Sequence, residues 1–553
     1  MQPWAAALAA TLLPPASTLA PAPAAGQGSS AEAEQALTGS HDPWRCLAEL
    51  APLGDAVDTV LRTSRLPLLE QLPRTPAEWQ PAVINSHAHG GRLSLTRAEA
   101  AACCDAMHAV HGVRLLHVQL QPVSGVTAAS GGASAAGGTG AAAALVEERV
   151  CAAVAALPAL HSLTLCSGTV PGGAALLSTL PRLSQLAELQ LEGRFAPAAA
   201  GAVLAPPLGL LTTLTALHMR GNIGGCDGAD ALARALSCLS CLERLSLTAA
   251  RVGADDAAAL APSLQLLTAL TALDLSSNAI GDAGAAALVP ALGSLPRLAS
   301  LNLTDNGIGA AGAQALAATL GRLPFLADCR LARNTFTTAG AAALAPPLGL
   351  LTALTALDLG WSCADTAAAA SLAPTLCRLQ QLVHLNLSGC LVGAAVLAPC
   401  LARLTALTAL EISSTGLDAL AAAALAAALG RLAQLASLGL HSNNVGDPGA
   451  AALAAHLGQL TALTCLDLGE VGLSAAGAKA LATALSCLSD LVHLRLPCNR
   501  LGDGGLRLLL PALARLPAVR TVELFGNDCT AVGLAALRSG VPPHVWAACR
   551  CAW

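Results

Sequence analysis

The feature that most constrains the fold is a hydrophobic pattern that recurs every 28 residues along most of the chain. It reads L-x-x-L-x-L-x-x-N, and its clearest copy, Leu270 to Arg297, is LTALDLSSNAIGDAGAAALVPALGSLPR. Successive copies start 28 residues apart, except for spacings of 26 after Leu160 and 25 after Leu382. Their first positions are Leu160, Leu186, Leu214, Leu242, Leu270, Leu298, Leu326, Leu354, Leu382, Leu407, Leu435, Leu463, Leu491 and Val519. A fixed period of this length indicates one stacked repeat array.

Each copy predicts one strand followed by one helix. Leu273 and Leu275 alternate with polar residues, so both should point inward from a strand. Asn278 ends the strand, where its amide can satisfy backbone groups of the bend. Leu288 and Leu292 follow helical spacing. Stacked copies therefore predict a parallel sheet on the concave face of an arc, with helices on the convex face. Asparagine fills the strand-end slot at Asn222, Asn278, Asn306, Asn334, Asn443, Asn499 and Asn527.

Glycine and proline mark the helical half of each copy. Gly281 and Gly284 permit a tight entry into the helix. Pro262, Pro290 and Pro374 fall within predicted helices, where proline removes a hydrogen bond and clashes with the preceding turn. We expect short or kinked helices in those copies.

The signature, the 28-residue length and the helical G-A-x-A-L-A-x-A-L pattern resemble the leucine-rich repeats of the ribonuclease-inhibitor type. Repeats of this type also occur in NOD-like receptors and in Ran GTPase-activating protein. The resemblance covers about residues 110–540 and implies an α/β leucine-rich-repeat solenoid, a horseshoe. It specifies the fold much more strongly than the function.

The same pattern predicts the domain organisation. Residues 1–40 read as a disordered low-complexity tail, and residues 41–109 as an N-terminal capping region with a degenerate repeat. The repeat array spans 110–540, with an early copy at Leu115 (LLHVQL) and a flexible Gly/Ala/Ser-rich insertion near 124–140. Residues 541–553 would form a C-terminal cap.

Composition excludes several classes of protein. Charged residues make up 11% of the chain and the net charge is −5, which disfavours nucleic-acid binding, since that needs a concentrated basic surface. Mean hydropathy is +0.60, yet no run of about 18 apolar residues passes without interruption, so we predict no membrane span. Alanine-rich convex helices would leave a weakly polar outer wall, which favours self-association.

The 19 cysteines show no regular pairing. Cys329 occupies a leucine slot and Cys390 an asparagine slot, where a free thiol behaves as a small apolar residue. This favours a reducing compartment and a cytoplasmic location, with the cytoskeleton or the cilium axoneme as the alternative. No cysteine pair has a matching second pair at zinc spacing, so we predict no metal.

Catalytic motifs are missing from the sequence. Gly472 and Gly477 have the glycine spacing of a nucleotide-binding P-loop, but Ala478 stands where that motif needs lysine. No nucleophile elbow, zinc-protease motif or kinase signature occurs. We therefore predict no enzyme activity and no cofactor.

The exposed strand positions should stack into columns on the concave face, about 4.8 Å apart. Their side chains include eight acids and four arginines, and Phe525 is the one aromatic residue among them. Arg330 would lie between Asp274 and Asp358 in a polar stripe. The alternative is a solvated face whose charges merely pair with one another. The predicted protein-binding residues are Arg220, Arg244, Asp274, Asn302, Arg330, Asp358, Asn386, Glu411, Asp467, Arg495 and Glu523.

Four functions fit such a chain. The leading hypothesis is a non-catalytic scaffold that binds one or more partner proteins on the concave face. A GTPase activator resembling Ran GTPase-activating protein is the first alternative, although the acidic tail of that family is missing here. A cytoskeletal or ciliary structural component is the second. A tight enzyme inhibitor would need a strongly acidic inner face, which an excess of four acids supports only weakly.

Overall fold

The computed structural model describes residues 93–96, 115–120, 160–167, 180–193, 206–221, 226–363, 365–391 and 393–550. These residues belong to two compact units, which divide after Asn222. The predicted tail at 1–40 and the predicted insertion near 124–140 lie outside the described residues. The domain boundaries stay predictions.

Unit 1 contains a parallel sheet whose strands pair in chain order. Strand β2 coincides with the early copy of the repeat predicted at Leu115. A 3-10 turn, Leu180–Arg182, precedes β4. The strands are β1 (Leu93–Thr96), β2 (Leu115–Leu120), β3 (Ser162–Ser167), β4 (Glu188–Gly193) and β5 (Ala216–Arg220).

Unit 2 alternates short strands with helices, and each strand pairs in parallel with the next one along the chain. The strands are β6 (Arg244–Ser246), β7 (Ala272–Asp274), β8 (Ser300–Asn302), β9 (Asp328–Arg330), β10 (Ala356–Asp358), β11 (His384–Asn386), β12 (Ala409–Glu411), β13 (Ser437–Gly439), β14 (Cys465–Asp467), β15 (His493–Arg495), β16 (Thr521–Glu523) and β17 (Cys549–Arg550). The helices are α1 (Cys226–Leu236), α2 (Ala254–Leu264), α3 (Gly281–Gly293), α4 (Ala310–Leu320), α5 (Thr338–Leu348), α6 (Thr366–Leu376), α7 (Ala394–Leu401), α8 (Ala419–Leu429), α9 (Gly446–Leu457), α10 (Ala475–Leu485), α11 (Gly502–Leu513), α12 (Ala531–Gly540) and α13 (Pro543–Ala548). Among the described helices, none combines the length and the hydropathy that a membrane crossing requires.

The core of unit 2 lies between its sheet and its helices. The middle residue of each strand points inward, as Leu273 does in β7, and Leu288 and Leu292 of α3 are buried against it. Each such leucine contributes roughly 1.5–3 kcal/mol, which the entropy of ordering the chain largely offsets. Helices stack about 10 Å apart and strands about 4.8 Å apart, so the helix side of unit 2 is the longer one. The predicted α/β leucine-rich-repeat solenoid is confirmed.

Pro262, Pro290 and Pro374 do not shorten their helices. Pro262 and Pro374 lie within α2 and α6, and both helices have 11 residues, the same length as the proline-free α4. Helix α3, which contains Pro290, has 13 residues. The expectation of short helices was wrong because these prolines are exposed near the end of each helix. Water can satisfy the carbonyl groups that lose their partners there.

Asparagine side chains join successive repeats at the strand ends. Asn443 is 7% exposed, and its Nδ2 donates to the carbonyl oxygens of Ile412 in the preceding repeat (3.0 Å) and Leu440 in its own (2.8 Å). Its Oδ1 accepts the backbone N–H groups of Thr415 and Leu417, each at 3.0 Å. The predicted role of the amide is confirmed, and the structure shows that it also bridges two repeats. The same donor contact to the preceding repeat occurs at Asn278, Asn306, Asn334, Asn499 and Asn527, whereas Asn222 lies outside the described residues.

Three consecutive repeats replace this asparagine with Ser362, Cys390 and Thr415. The hydroxyl of Ser362 and the thiol of Cys390 still donate to the preceding repeat, at 2.7 and 3.1 Å. Thr415 instead donates to a carbonyl of its own repeat. Because a thiol is a weak donor and Thr415 donates only within its own repeat, the bridges are weakest on the two sides of the repeat that contains Cys390.

Acidic residues near the start of some helices cap the helix of the following repeat. Oδ1 of Asp282, in α3, accepts the backbone N–H groups of Gly309 (2.6 Å) and Gly312 (2.8 Å). Gly309 is the N-cap of α4, so this carboxylate satisfies donors that have no partner within that helix. A Cβ on Gly312 would lie 2.6 Å from the same oxygen, so only glycine leaves room for it. Asp447 and Asp503 make equivalent contacts.

A disulfide links helices α6 and α7. Cys377 is the C-cap of α6 and Cys400 lies in α7, and their Cα atoms are 4.5 Å apart. The sequence predicts free thiols, which is wrong for this pair, because only the stacking of neighbouring helices brings the two residues together. Cys329 does fill its predicted leucine slot, and burial raises the pKa of its thiol to about 12.

Replacing Asn443 with alanine should loosen the contact between two repeats. The change leaves buried carbonyl and N–H groups without partners, so we expect a loss of about 2–4 kcal/mol in local stability. Hydrogen exchange of residues 405–450 measures that opening free energy. Asn444 is the matched control because it is the next residue and is exposed. Equal effects of Asn443→Ala and Asn444→Ala would contradict the bridging role.

Reducing the Cys377–Cys400 disulfide should destabilise the repeats around it. The bond closes a loop of 23 residues, for which the chain-entropy account gives a contribution of about 3 kcal/mol. Hydrogen exchange of residues 366–401 at increasing urea concentrations, with and without reductant, measures this contribution. The variant Cys487→Ser, at an exposed free cysteine, should leave the difference unchanged. Identical exchange in both conditions would show that the bond does not stabilise these repeats.

Candidate functional site

One line of solvent-facing side chains runs along the sheet of unit 2. Strand register places these residues directly opposite one another from β6 to β17, and we call the line the central column. It consists of Ser246, Asp274, Asn302, Arg330, Asp358, Asn386, Glu411, Gly439, Asp467, Arg495, Glu523 and Arg550. In this register each side chain can reach those on the two neighbouring strands.

Nine of the predicted binding residues lie in the central column: Asp274, Asn302, Arg330, Asp358, Asn386, Glu411, Asp467, Arg495 and Glu523. The other two lie outside it. Arg220 ends β5 of unit 1, opposite Glu192, and Arg244 begins β6. The sequence did not predict the last member, Arg550, because β17 is a two-residue strand without the leucine pattern.

Many acidic and amide groups of the central column also hold the backbone where the strand ends. Oδ1 of Asp274 accepts the N–H of Ser276 at 2.9 Å, and Oδ1 of Asp358 accepts that of Gly360 at 3.0 Å. The same bond to the residue two positions ahead occurs at Asn302, Asn386 and Asp467. These side chains therefore have a structural role, and each aspartate keeps its second oxygen for other contacts.

Arg330 forms its ion pair within its own strand. Its guanidinium lies 3.0 Å from the carboxylate of Asp328, and Nε also donates to that group. The sequence placed Arg330 between Asp274 and Asp358, but Asn302 separates it from the first of these. Burial raises the pKa of Asp358, although the Gly360 N–H and the charge of Arg330 oppose that shift.

Charges alternate at the far end of the central column. Arg495 lies 3.7 Å from Asp467 and 3.5 Å from Glu523, and Arg550 lies 3.7 Å from Glu523 on the other side. His441 lies 3.9 Å from Asp467. Half-exposed pairs of this kind stabilise the fold by only about 0–1 kcal/mol each. Their main effect is to hold long side chains in a fixed order across the sheet.

Glu411 is an acidic group of this face whose charged form is disfavoured by burial. Its carboxylate lies over Gly439, where a Cβ would come within 2.6 Å of Cδ, so glycine creates the space. Burial raises the pKa of Glu411, and the negative charge of Asp467 raises it further, against a hydrogen bond from Ser437 and the charge of Arg495.

An exposed tryptophan, Trp361, stands in the turn after β10. Its side chain is 55% exposed, and its ring lies against Gly389, where a Cβ would come within 2.6 Å of Cε3. Phe525, after β16, is 40% exposed. The sequence pointed to Phe525 but missed Trp361. The available signal was that Trp361 is a large apolar residue at a turn position where other repeats carry Ser442 or Glu470.

No group of three or more His, Cys, Asp or Glu side chains within the described residues has the arrangement needed to hold a metal ion. The histidines and cysteines between residues 87 and 111 lie outside that part of the chain.

Neutralising Glu411 should stabilise the protein at neutral pH. Its pKa is raised in the folded state, so the ionised carboxylate opposes folding, and this cost disappears as the pH falls through the raised pKa. Glu411→Gln should therefore increase the free energy of unfolding at pH 7 and change little in acid. Glu523→Gln is the control with the opposite expected sign, because it removes partners of Arg495 and Arg550. Denaturant titration of both variants at several pH values measures this. A destabilised Glu411→Gln would contradict the assignment.

Comparison with known proteins places these repeats in a known class. A family model described as "Leucine Rich repeat" matches residues 267–289, 297–317 and 435–454. No curated protein sequence matches the chain. One similar solved structure is an internalin from Listeria monocytogenes, at 21% identity and a TM-score of 0.37, covering 58% of this chain and 82% of that one. Another is the leucine-rich-repeat ectodomain of the plant receptor kinase GASSHO1/SCHENGEN3 from Arabidopsis thaliana, solved in complex with CASPARIAN STRIP INTEGRITY FACTOR 2. It has 18% identity and a TM-score of 0.31, and the match covers 70% of this chain and 56% of that one.

The family match falls on the stretches where strand, asparagine bridge and helix follow one another in the order described above. The three matched stretches are therefore leucine-rich repeats.

Proposed function

We propose that this chain is a non-catalytic scaffold whose sheet face binds a partner protein. The observation that carries the proposal is the central column, in which polar and charged side chains remain in register and open to solvent from β6 to β17. Twelve strands at about 4.8 Å spacing give a surface roughly 50 Å long, which suits a macromolecule better than a small ligand.

The distribution of charge supports a protein partner. Acidic and basic groups alternate at the far end of the central column, from Asp467 to Arg550, so a partner would need a matching order of opposite charges there. A nucleic acid would instead need a concentrated positive surface, whereas the whole chain carries a net charge of −5. Trp361 and Phe525 add exposed aromatic groups of the kind that anchor protein interfaces.

The assignment of these repeats to the ribonuclease-inhibitor type is also part of this proposal. The 28-residue period and the 11-residue helices support the ribonuclease-inhibitor type of repeat. The cytoplasmic location stays a prediction. Free cysteines such as Cys329 and Cys487 favour a reducing compartment, and the Cys377–Cys400 disulfide favours an oxidising one.

Charge reversal on the sheet face should weaken binding of the partner. The partner is first identified by affinity capture and mass spectrometry and then purified, so that its dissociation constant can be measured by titration. We expect Arg330→Glu, Asp358→Arg and Arg495→Glu each to raise that constant by about tenfold or more, since reversal places like charges together. Arg322→Glu is the matched control. Arg322 is exposed in the turn between helix α4 and strand β9, outside the central column.

The outcome that would contradict the proposal is specific. Unchanged dissociation constants for all three sheet-face variants, with correct folding shown by circular dichroism, would place the binding surface elsewhere.

A further inference from the structure

Five consecutive helices of unit 2 carry no ionisable side chain. Helices α4 to α8 consist of Ala, Gly, Leu, Val, Pro, Ser, Thr, Gln and one Cys. Helices α1 to α3 and α9 to α12 each contain at least one Asp, Arg or Lys. The solvent-facing side of a helix in a water-exposed solenoid is normally charged. The uncharged stretch is therefore local to these helices.

Exposed apolar side chains lie in the last two helices of that stretch. Leu420 in α8 is 82% exposed and Val396 in α7 is 44% exposed. Leaving such groups in water forgoes the favourable free energy of burial. We call the outward side of α6, α7 and α8 the neutral wall, and its exposed residues include Ala370, Pro374, Val396, Pro399, Leu420 and Ala427.

Opposite charges border the neutral wall at the two ends of its helices. Asp365 and Asp418 are the N-caps of α6 and α8. Arg378 and Arg431 are exposed in the turns just after the same two helices. Among the described residues, neither arginine forms an ion pair. One edge of the wall is thus acidic and the other is basic.

We infer that the neutral wall binds a second copy of this chain through a two-fold axis parallel to the direction in which the repeats stack. That symmetry sets α7 against α7 with the helices antiparallel. Arg431 of one copy then lies next to Asp418 of the other, and Arg378 next to Asp365, with each pair formed twice. The apolar centres meet without removing any charged side chain from water. The charge pattern is complementary to itself only in this orientation.

The size of the wall sets the strength of the dimer. Two helices of about 16 Å and the shorter α7 of about 12 Å, stacked about 10 Å apart, give a footprint of roughly 450 Å² per copy. The convex curvature of the helix side limits contact to about these three helices. Roughly 900 Å² in total is near the lower bound for a specific interface, so the dimer is weak and forms at micromolar concentrations. The Cys377–Cys400 disulfide holds α6 and α7 together and so keeps the wall rigid.

Sedimentation equilibrium of the full chain, from low to high micromolar concentration, tests this inference. The wild-type protein should pass from monomer to dimer, and Leu420→Arg should remain monomeric because it replaces an apolar contact with a cation close to Arg431 of the second copy. Arginine has a high helix propensity and Leu420 is exposed, so the variant should still fold. Ala476→Arg is the matched control, since Ala476 is exposed at the equivalent position of α10, outside the wall. It should dimerise as the wild type does.

Charge exchange tests the orientation. Arg431→Glu and Asp418→Arg should each weaken the dimer when alone, because like charges then meet across the axis. An equimolar mixture of the two variants restores both pairs in the mixed dimer, so it should associate like the wild-type protein. A wild-type chain that stays monomeric throughout, a Leu420→Arg variant that still dimerises, or a mixture that fails to associate would each overturn the inference.

Discussion

The structure depends on one constraint, which is that a single repeat cannot bury its own leucines. A strand of three residues and a helix of about 11 residues leave both flanks of each repeat open to water. A neighbouring repeat on each side closes those flanks, and only then does the burial of residues such as Leu273 and Leu288 exceed the entropy lost in ordering the chain. Each repeat is therefore stabilised mainly by contacts with the next one.

Polar contacts between repeats follow the same rule. The amide of Asn443 and the carboxylate of Asp282 both bond backbone groups of a neighbouring repeat, so they stabilise the stack rather than the unit that contains them. Where the slot holds Cys390, the bridge is weaker, and the disulfide between α6 and α7 connects the helices at the same place. The replacement of asparagine by Cys390 and the disulfide between α6 and α7 thus lie in the same part of the stack.

The two sides of the stack carry different chemistry because they are built from different secondary structure. Strand positions alternate between core and solvent, so half of each strand is free to carry the charges of the central column. Helix positions facing outward contribute little to the core, and in α6 to α8 they are small or apolar, as at Leu420. One side therefore presents charges in a fixed order, and the other presents an uncharged surface.

The sequence by itself determined the repeat, the strand positions, the asparagine slot and nine members of the central column, because all of these follow from a fixed period. It did not determine contacts between residues at different positions of neighbouring repeats. The pairing of Arg330 with Asp328, the placement of Glu411 over Gly439, the Cys377–Cys400 disulfide and the short strand that carries Arg550 arise only from stacking. A period predicts which residues share a column, whereas side-chain reach across the stack decides which of them meet.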